Sequence, residues 1–460
     1  MLLLKLAHAQ TVPRWLRVDS QHMLSDLLVL DLSRVLAGPY CTQMLADLGA
    51  RVIKVESPKG DDTRQWGPPY AGGESGYYLS VNRGKESLAV DLKEPRGAEI
   101  VRRLALKADV IIENFKLGDL ARYGLDAATV RRSNPGVVYL SITGFGQTGP
   151  RAAQPGYDGA MQAQSGLLAM TGEADGGPVK TPVAFIDVLT GVHASVAVLA
   201  ALRRRDRDGV GSDIDISLFD VALASMVNQA QSALLTAEAP LRLGSGHPSI
   251  VPYQAFSTAD GAVVLAVGND NQFRKLCEVL GSAELAADER YATNAGRVAN
   301  REVLVPYLQS LTASWARAEL VSACNDAGVP ATPVLTLPEA LADPQAHARG
   351  AVSAVQHPTA GRLPLVASPL RFITARGSVA AQGGAQEVRA EEGGTGMSSP
   401  GESGATAAAE ERVRGRQGVD AAPPLLGQHS REILMNDLGL DLSEVEKLLA
   451  AGVLVEPQVS

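Results

Sequence analysis

The 460-residue sequence has few cysteines, no surplus of cations and no long uncharged apolar run, and each shortage removes a class of protein. Its three cysteines, Cys41, Cys277 and Cys324, are odd in number and far apart. They build neither a disulfide framework nor a zinc site, and a reducing compartment is expected. Lys and Arg total 42 against 50 Asp and Glu, a formal charge of -8, which repels a polyanion. The one dense basic run, Arg203 to Asp208, carries its own acids, so nucleic acid is not an expected partner. No stretch of about 18 uncharged apolar residues occurs, and no membrane partner is expected. Also missing are a GxGxxG after the first strand, a GxxxxGK[ST] phosphate loop, HExxH and GxSxG; the seven histidines are scattered and imply no metal site.

With 45% apolar residues, a chain of this length buries a large core, at roughly two or three domains of about 150 residues each. Residues before Asp19 carry Lys5, Arg14 and Arg17 with no acid, a balance that suits a mitochondrial presequence over residues 1–24. If Met23 is the true start, a cytoplasmic protein is the alternative. From Leu27 short apolar runs alternate with helical spacing: strands are expected at 27–32, 51–56, 87–92, 109–113, 137–142 and 214–218, with helices at 41–48, 98–106 and 191–202. That rhythm builds βαβ units and predicts an α/β fold with a doubly wound, Rossmann-like parallel sheet. After about residue 245 the pattern changes to a hairpin about Asp260-Gly261 and then helices, a smaller α+β domain. Residues 377–422 are rich in Gly, Ala, Glu, Ser, Arg and Gln and read as a disordered low-complexity insertion, after which come two amphipathic helices.

Open parallel sheets bind ligands at the carboxyl ends of their strands, and the first strand runs into Asp31-Leu32-Ser33-Arg34-Val35-Leu36-Ala37-Gly38-Pro39. Alone, that loop serves equally as a structural turn or as an anion site at a helix N-terminus. A longer series of motifs is more specific. Ala37-Gly38-Pro39, the run Leu48 to Glu56 (LGARVIKVE), Gly60-Asp61-Asp62-Thr63-Arg64, Asn82-Arg83-Gly84-Lys85, Glu113-Asn114-Phe115, Ser141 to Gly146 (SITGFG), Gly156-Tyr157-Asp158, Gly244 to Tyr253 (GSGHPSIVPY) and Leu426-Gly427-Gln428-His429 occur in this order. This series resembles the class III coenzyme A transferases, the CaiB/BaiF family that includes formyl-CoA transferase, over residues 25–376 and 423–452. Ser249 to Phe256 and Leu448 to Val453 look most like the succinate–hydroxymethylglutarate branch.

The resemblance implies a large domain made from both ends of the chain (25–239, 346–376 and 423–460), a small α+β domain at 240–345, and an interlocked homodimer. It implies no prosthetic group, with coenzyme A thioesters as substrates. The reaction would move CoA from a donor such as succinyl-CoA to a dicarboxylate such as glutarate or 3-hydroxymethylglutarate. Asp187, thirty residues after Tyr157, falls at the family's nucleophile position. A carboxylate there can attack a thioester carbonyl and end as an aspartyl-CoA thioester; read without the family, the same residue is a helix N-cap. Tyr157 is the second implied catalytic residue. Related acyl-CoA racemases, the alternative reading, place a histidine at this position, and tyrosine, with a pKa near 10, is a poor proton shuttle at neutral pH. CoA contacts are implied for Leu36, Ala37, Leu79, Asn82, Asn114, Phe115, Lys116, Pro155, Gly156 and Asp158, with Arg64, Lys85 and Arg122 as phosphate partners. Leu36 stands where formyl-CoA transferase has Gln, which disfavours an oxalate-specific enzyme. Gly244, Ser245, Gly246 and His247 occupy the place of a glycine loop over the active site.

Overall fold

Apolar strand runs and the loops between them assemble into a parallel sheet in the computed structural model, which describes residues 23–372 and 421–457. The expected presequence lies outside the described residues except for Met23 and Leu24, as does the low-complexity insertion except for Ala421 and Ala422. The strands are β1 (Leu28–Asp31), β2 (Arg51–Glu56), β3 (Lys85–Val90), β4 (Val110–Glu113), β5 (Val138–Thr143) and β6 (Ser212–Ser217). They lie parallel in the order 3-2-1-4-5-6. A short antiparallel strand, Leu454–Val455, pairs with β3 at the edge. β1 to β5 are almost wholly buried, as expected of strands covered on both faces, while β6 alternates in its exposure.

The crossovers between these strands carry helices α1 (Ala37–Asp47), α2 (Pro95–Ala105), α3 (Ala127–Ser133) and α4 (Phe185–Asp208). Pro95 begins α2, where its missing N–H is harmless, and the Asp126 side chain caps α3 by accepting from the Thr129 amide. The main core joins Leu30, Ile53, Leu88, Leu104 and Ile111 to Ile433, Leu434, Val445 and Leu448 from the two C-terminal helices, so distant segments of the chain fill one core. Each fully buried leucine or isoleucine there contributes about 1.5–3 kcal/mol.

Helix α4 comes nearest to an uncharged apolar run of about 18 residues, and Asp187 interrupts it. It is long and apolar enough to cross a bilayer, with an 18-residue window of mean hydropathy 1.9 that tolerates the charge of Asp187. Its apolar character has a local cause. Ile186, Thr190, Gly191, Ala194, Ser195 and Val198 form a buried stripe, and 44% of the window is buried within the protein.

The chain divides into two compact units, one of residues 1–156, 186–221 and 344–460, the other of residues 157–185 and 222–343. The second unit takes in 157–185 and 222–239 besides the stretch expected of a small domain. Its hairpin, β7 (Tyr253–Thr258) and β8 (Gly261–Ala266), turns at Ala259-Asp260 with Gly261 paired to Thr258, one residue before the expected dipeptide, and β9 (Ala331–Pro333) pairs antiparallel with β8. Phe256, Phe273, Leu276, Leu304, Leu308 and Leu320 form its core. The first unit holds a hairpin the sequence pattern did not announce, β10 (Val352–His357) and β11 (Gly361–Val366), whose Val355, Leu363 and Leu365 pack on Leu79.

Candidate active site

In a 3-2-1-4-5-6 sheet the chain leaves β1 toward β2 on one side and later returns past β1 to β4 on the other. The loops after β1 and β4 therefore separate at the carboxyl ends, and a crevice opens there. Across it the Asn114 side chain brackets Arg34, its Oδ1 accepting from the Arg34 amide at 3.1 Å and its Nδ2 donating to the Arg34 carbonyl at 2.8 Å. Asn114, expected as a CoA contact, thus has both ends of its amide engaged in holding the β1 loop.

The β1 loop is also fixed from beneath. The Asp31 carboxylate accepts from the Ser33 amide at 3.0 Å and from the Thr42 hydroxyl at 2.6 Å. The Asp61 carboxylate receives the Val35 amide at 3.2 Å and Lys54 Nζ at 2.9 Å, while Lys54 also donates to the Ser33 carbonyl at 3.0 Å. Lys54 and Asp61 have fully buried side chains. Burial raises the Asp61 carboxyl, but the Lys54 charge and hydrogen bonds from Lys54 and Thr63 outweigh it and hold the group at about 2. The clamp serves a strained backbone. Val35 has φ +72°, a left-handed conformation that a β-branched residue adopts at a cost of about 1–3 kcal/mol and keeps only where its surroundings over-determine it. Leu36 then starts α1 with no side-chain cap, and both Leu36 and Ala37 are buried.

Two of the expected phosphate partners are withdrawn. Lys85 Nζ has no exposed surface and donates to Asp31 Oδ2 at 3.2 Å, the Pro39 carbonyl at 2.9 Å and Asn82 Oδ1 at 2.9 Å, which uses all three of its protons. Burial lowers its pKa to about 8. Arg64 donates to both oxygens of Glu56 at 2.8 Å, to Glu74 at 2.7 Å, to the Tyr78 hydroxyl at 2.6 Å and to the Pro424 carbonyl at 3.2 Å. Its guanidinium also stacks 3.7 Å from the Tyr78 ring. Both cations are structural ties with little left for an outside phosphate. Asn82 is equally occupied, accepting from Lys85 and donating to the Tyr78 carbonyl, and Leu79 belongs to the hairpin cluster.

Of the expected cations, Lys116 and Arg122 remain open to solvent. Both are exposed beyond β4, and Arg122 lies over the Tyr123 ring at 4.8 Å. Lys116 borders a cleft between the ends of β4 and β5 that is also lined by Glu113, Phe115, Leu120, Tyr139 and Ser141. Phe115 is half-buried against the main core, and its amide donates to Glu113 at 2.7 Å. Burial pushes the Glu113 carboxyl up, against hydrogen bonds from Ser141 and Phe115.

Asp187 stands half-buried in the first turn of α4, where the helix dipole favours an anion. Pro155 is exposed and Gly156 half-buried at the end of their segment. In the second unit, Tyr157 precedes the helix Asp158–Gln164 with its side chain 66% exposed, and buried Asp158 accepts from Gln162 Nε2 at 2.6 Å. The Gly244 to His247 turn is tied throughout. Gly244 (φ +57°) donates to the Gly172 carbonyl, Ser245 Oγ accepts from Ala255, Gly246 donates to Leu243, and the His247 ring stacks on Tyr253 at 5.5 Å. His247 thus has structural partners.

The sequence reading missed Asp31, Lys54 and Asp61 as determinants of the site. The signal for Asp31 and Lys54 was present in LVLD and RVIKVE, where charged residues interrupt strands that are otherwise buried on both faces.

Comparison with known proteins supplies the chemistry. The profile of CoA-transferase family III matches residues 24–383. A succinate–glutarate CoA-transferase of Agrobacterium fabrum is 50% identical over 334 residues, covering 71% of this chain and 84% of that protein. The mouse succinyl-CoA:glutarate CoA-transferase is 39% identical over 437 residues, covering 95% of this chain and 91% of its own length. A crystal structure of a CAIB/BAIF family protein from Brucella suis superimposes with a TM-score of 0.74 at 41% identity, over 90% of this chain and 98% of that one. The first two relatives are transferases, which disfavours the racemase alternative. The chain therefore belongs to CoA-transferase family III and is a CoA-transferase.

Proposed function

We propose that this enzyme moves coenzyme A between succinyl-CoA and glutarate through a thioester on Asp187. The observation that carries the reading is the succinyl and glutaryl specificity named for two relatives of 50% and 39% identity, together with an aspartate in the first turn of α4. The Asp187 carboxylate attacks the succinyl thioester carbonyl, giving a mixed anhydride and CoA thiolate. The thiolate attacks the aspartyl carbonyl carbon, expels succinate and leaves aspartyl-CoA. Glutarate repeats the two steps in reverse order, ending as glutaryl-CoA with the carboxylate restored. The anhydrides are higher-energy intermediates, but the overall exchange replaces one thioester by another of similar energy, so exclusion of water is what conserves the thioester.

Lys116 and Arg122 are proposed for the CoA phosphates, with Phe115 against the nucleotide base. Leu36, Ala37, Pro155, Gly156 and Asp158 are proposed along the thioester arm, and Tyr157 at the reacting acyl group. A homodimer is part of the proposal. Helix Val227–Thr236 buries none of its residues, and Leu234, Leu235 and Leu241 are 80%, 77% and 77% exposed, a surface that a second copy of this chain would cover. A mitochondrial location rests on the acid-free basic stretch before Asp19.

The test is incubation with succinyl-CoA and a panel of dicarboxylates, with new thioesters followed by mass spectrometry. Glutaryl-CoA is expected as the fastest product. Asp187→Ala should abolish transfer while CoA binding stays within about tenfold. Retained turnover in that variant, or a quenched enzyme whose Asp187 peptide never carries CoA, would overturn the mechanism.

A further inference from the structure

Gly191 lies four residues after Asp187 in α4, so the two share a helix face and stand about 6 Å apart along the axis. A Cβ added at position 191 would stand 2.7 Å from the carbonyl oxygen of Ala37 and 3.1 Å and 3.2 Å from Cδ1 and Cβ of Tyr40. The closest obstacle is backbone, which cannot swing aside as a side-chain tip would. One turn further on, Ser195 Oγ donates to the Gly191 carbonyl at 2.9 Å and meets Met44 Sδ at 3.6 Å, so the fit to α1 continues along the stripe.

The surface on which Gly191 rests is itself locked. Ala37 comes two residues after the last position of the turn held by Asp31 at Ser33, by Asn114 at Arg34 and by Asp61 at Val35, with Lys54 gripping both Asp61 and the Ser33 carbonyl. A rigid loop on one side and a bare helix face on the other leave a single seating for the first turns of α4.

We propose that Gly191 is a positioning residue for the transfer reaction. Its missing side chain lets α4 seat on the Ala37 backbone, and that contact sets where the Asp187 carboxylate stands relative to the loop after β1. The inference rests on the reading of Asp187 as nucleophile. In that mechanism the same carboxyl group must first attack a thioester carbonyl and then, as an anhydride, present its own carbonyl carbon to the thiolate. Both steps need near-attack geometry, and a displacement of about 1 Å costs on the order of a hundredfold in rate.

The experiment compares Gly191→Ala with Ser195→Ala, which loosens the same stripe one turn away, in steady-state transfer from succinyl-CoA. Gly191→Ala should lower kcat about a hundredfold with KM for succinyl-CoA within about threefold, and quenched enzyme should hold correspondingly less aspartyl-CoA; Ser195→Ala should keep kcat within about twofold. A Gly191→Ala enzyme with near-normal kcat, or an equal loss in Ser195→Ala, would overturn the inference. If Gly191→Ala does not fold, Val35→Gly decides. Glycine adopts φ +72° freely, so this variant keeps the fold while loosening the loop under Ala37, and kcat should fall about tenfold at unchanged KM; an unchanged kcat overturns the inference. Asp187→Ala run alongside separates the two readings. If it is inactive while Gly191→Ala is active, only the positioning role falls, whereas turnover in Asp187→Ala removes the nucleophile and the positioning role together.

Discussion

The two compact units handle buried charge differently. In the first, Asp31, Lys54, Glu56, Asp61 and Arg64 lie near the carboxyl ends of β1 and β2, with Lys85 reaching Asp31 from the start of β3, and they pair with one another and with the β1 loop. In the second, the core around Phe256 and Leu304 is apolar, and buried Arg297 satisfies itself with the Val251 and Tyr291 carbonyls and Asp270 while stacking 4.6 Å from the Phe273 ring. Buried ion pairs are poor stabilisers, since apolar replacements of similar volume are often neutral or better. Their concentration where the backbone of Val35 is strained points to geometry as what they provide.

The contrast is broken or sharpened by four measurements. Lys54→Met leaves the Asp61 carboxylate buried without its cation and should cost about 3–5 kcal/mol in denaturant unfolding. Adding Asp61→Asn, which keeps an acceptor for Val35, should recover more than half. In the apolar unit, Leu304→Ala should cost about 3 kcal/mol through cavity formation alone, with no second substitution of charge able to rescue it. Acid separates the units next. The folded value of Asp61, about 2, lies below the ordinary 3.8, so its contribution is complete above about pH 4 and is lost as pH falls toward 2. Hydrogen exchange should therefore show β1 and β2 losing protection in that window before β7 and β8, and the opposite order would erase the distinction. The smallest effect is expected at the surface, where Glu99→Ala removes an i,i+3 partner of Arg102 and should change stability by less than about 0.5 kcal/mol.

Much of the sheet was legible because its signal is local. RVIKVE is read as a strand at 51–56 and is β2 without adjustment, whereas the hairpin expected at Asp260-Gly261 turns one residue earlier, at Ala259-Asp260. Helix boundaries were less so. The expected 191–202 segment runs from Phe185 to Asp208, since Asp187 and the arginines beyond Leu202 break the apolar pattern but not the helix. The β10–β11 hairpin escaped because Pro364 stands inside it and the alternation is weak. At the site, motif resemblance pointed to the Asn82 to Lys85 and Gly60 to Arg64 segments but could not distinguish a cation that faces a ligand from one that holds a loop. That difference depends on partners such as Asp31 and Glu56, which only the fold brings within reach. Nothing in the sequence announces the left-handed backbone of Val35, because valine is among the residues least suited to it.

The strand Leu454–Val455 also has a consequence for how the protein is made. It closes the β3 edge some four hundred residues downstream of β1, and the two helices before it supply a face of the core that β1 needs. On a ribosome adding roughly 5–20 residues per second, on the order of 20 to 90 seconds separate the first strand from the last. During that interval a nascent chain carries an open sheet with an unpaired margin, which makes this stretch of synthesis the time when a holding chaperone would matter most.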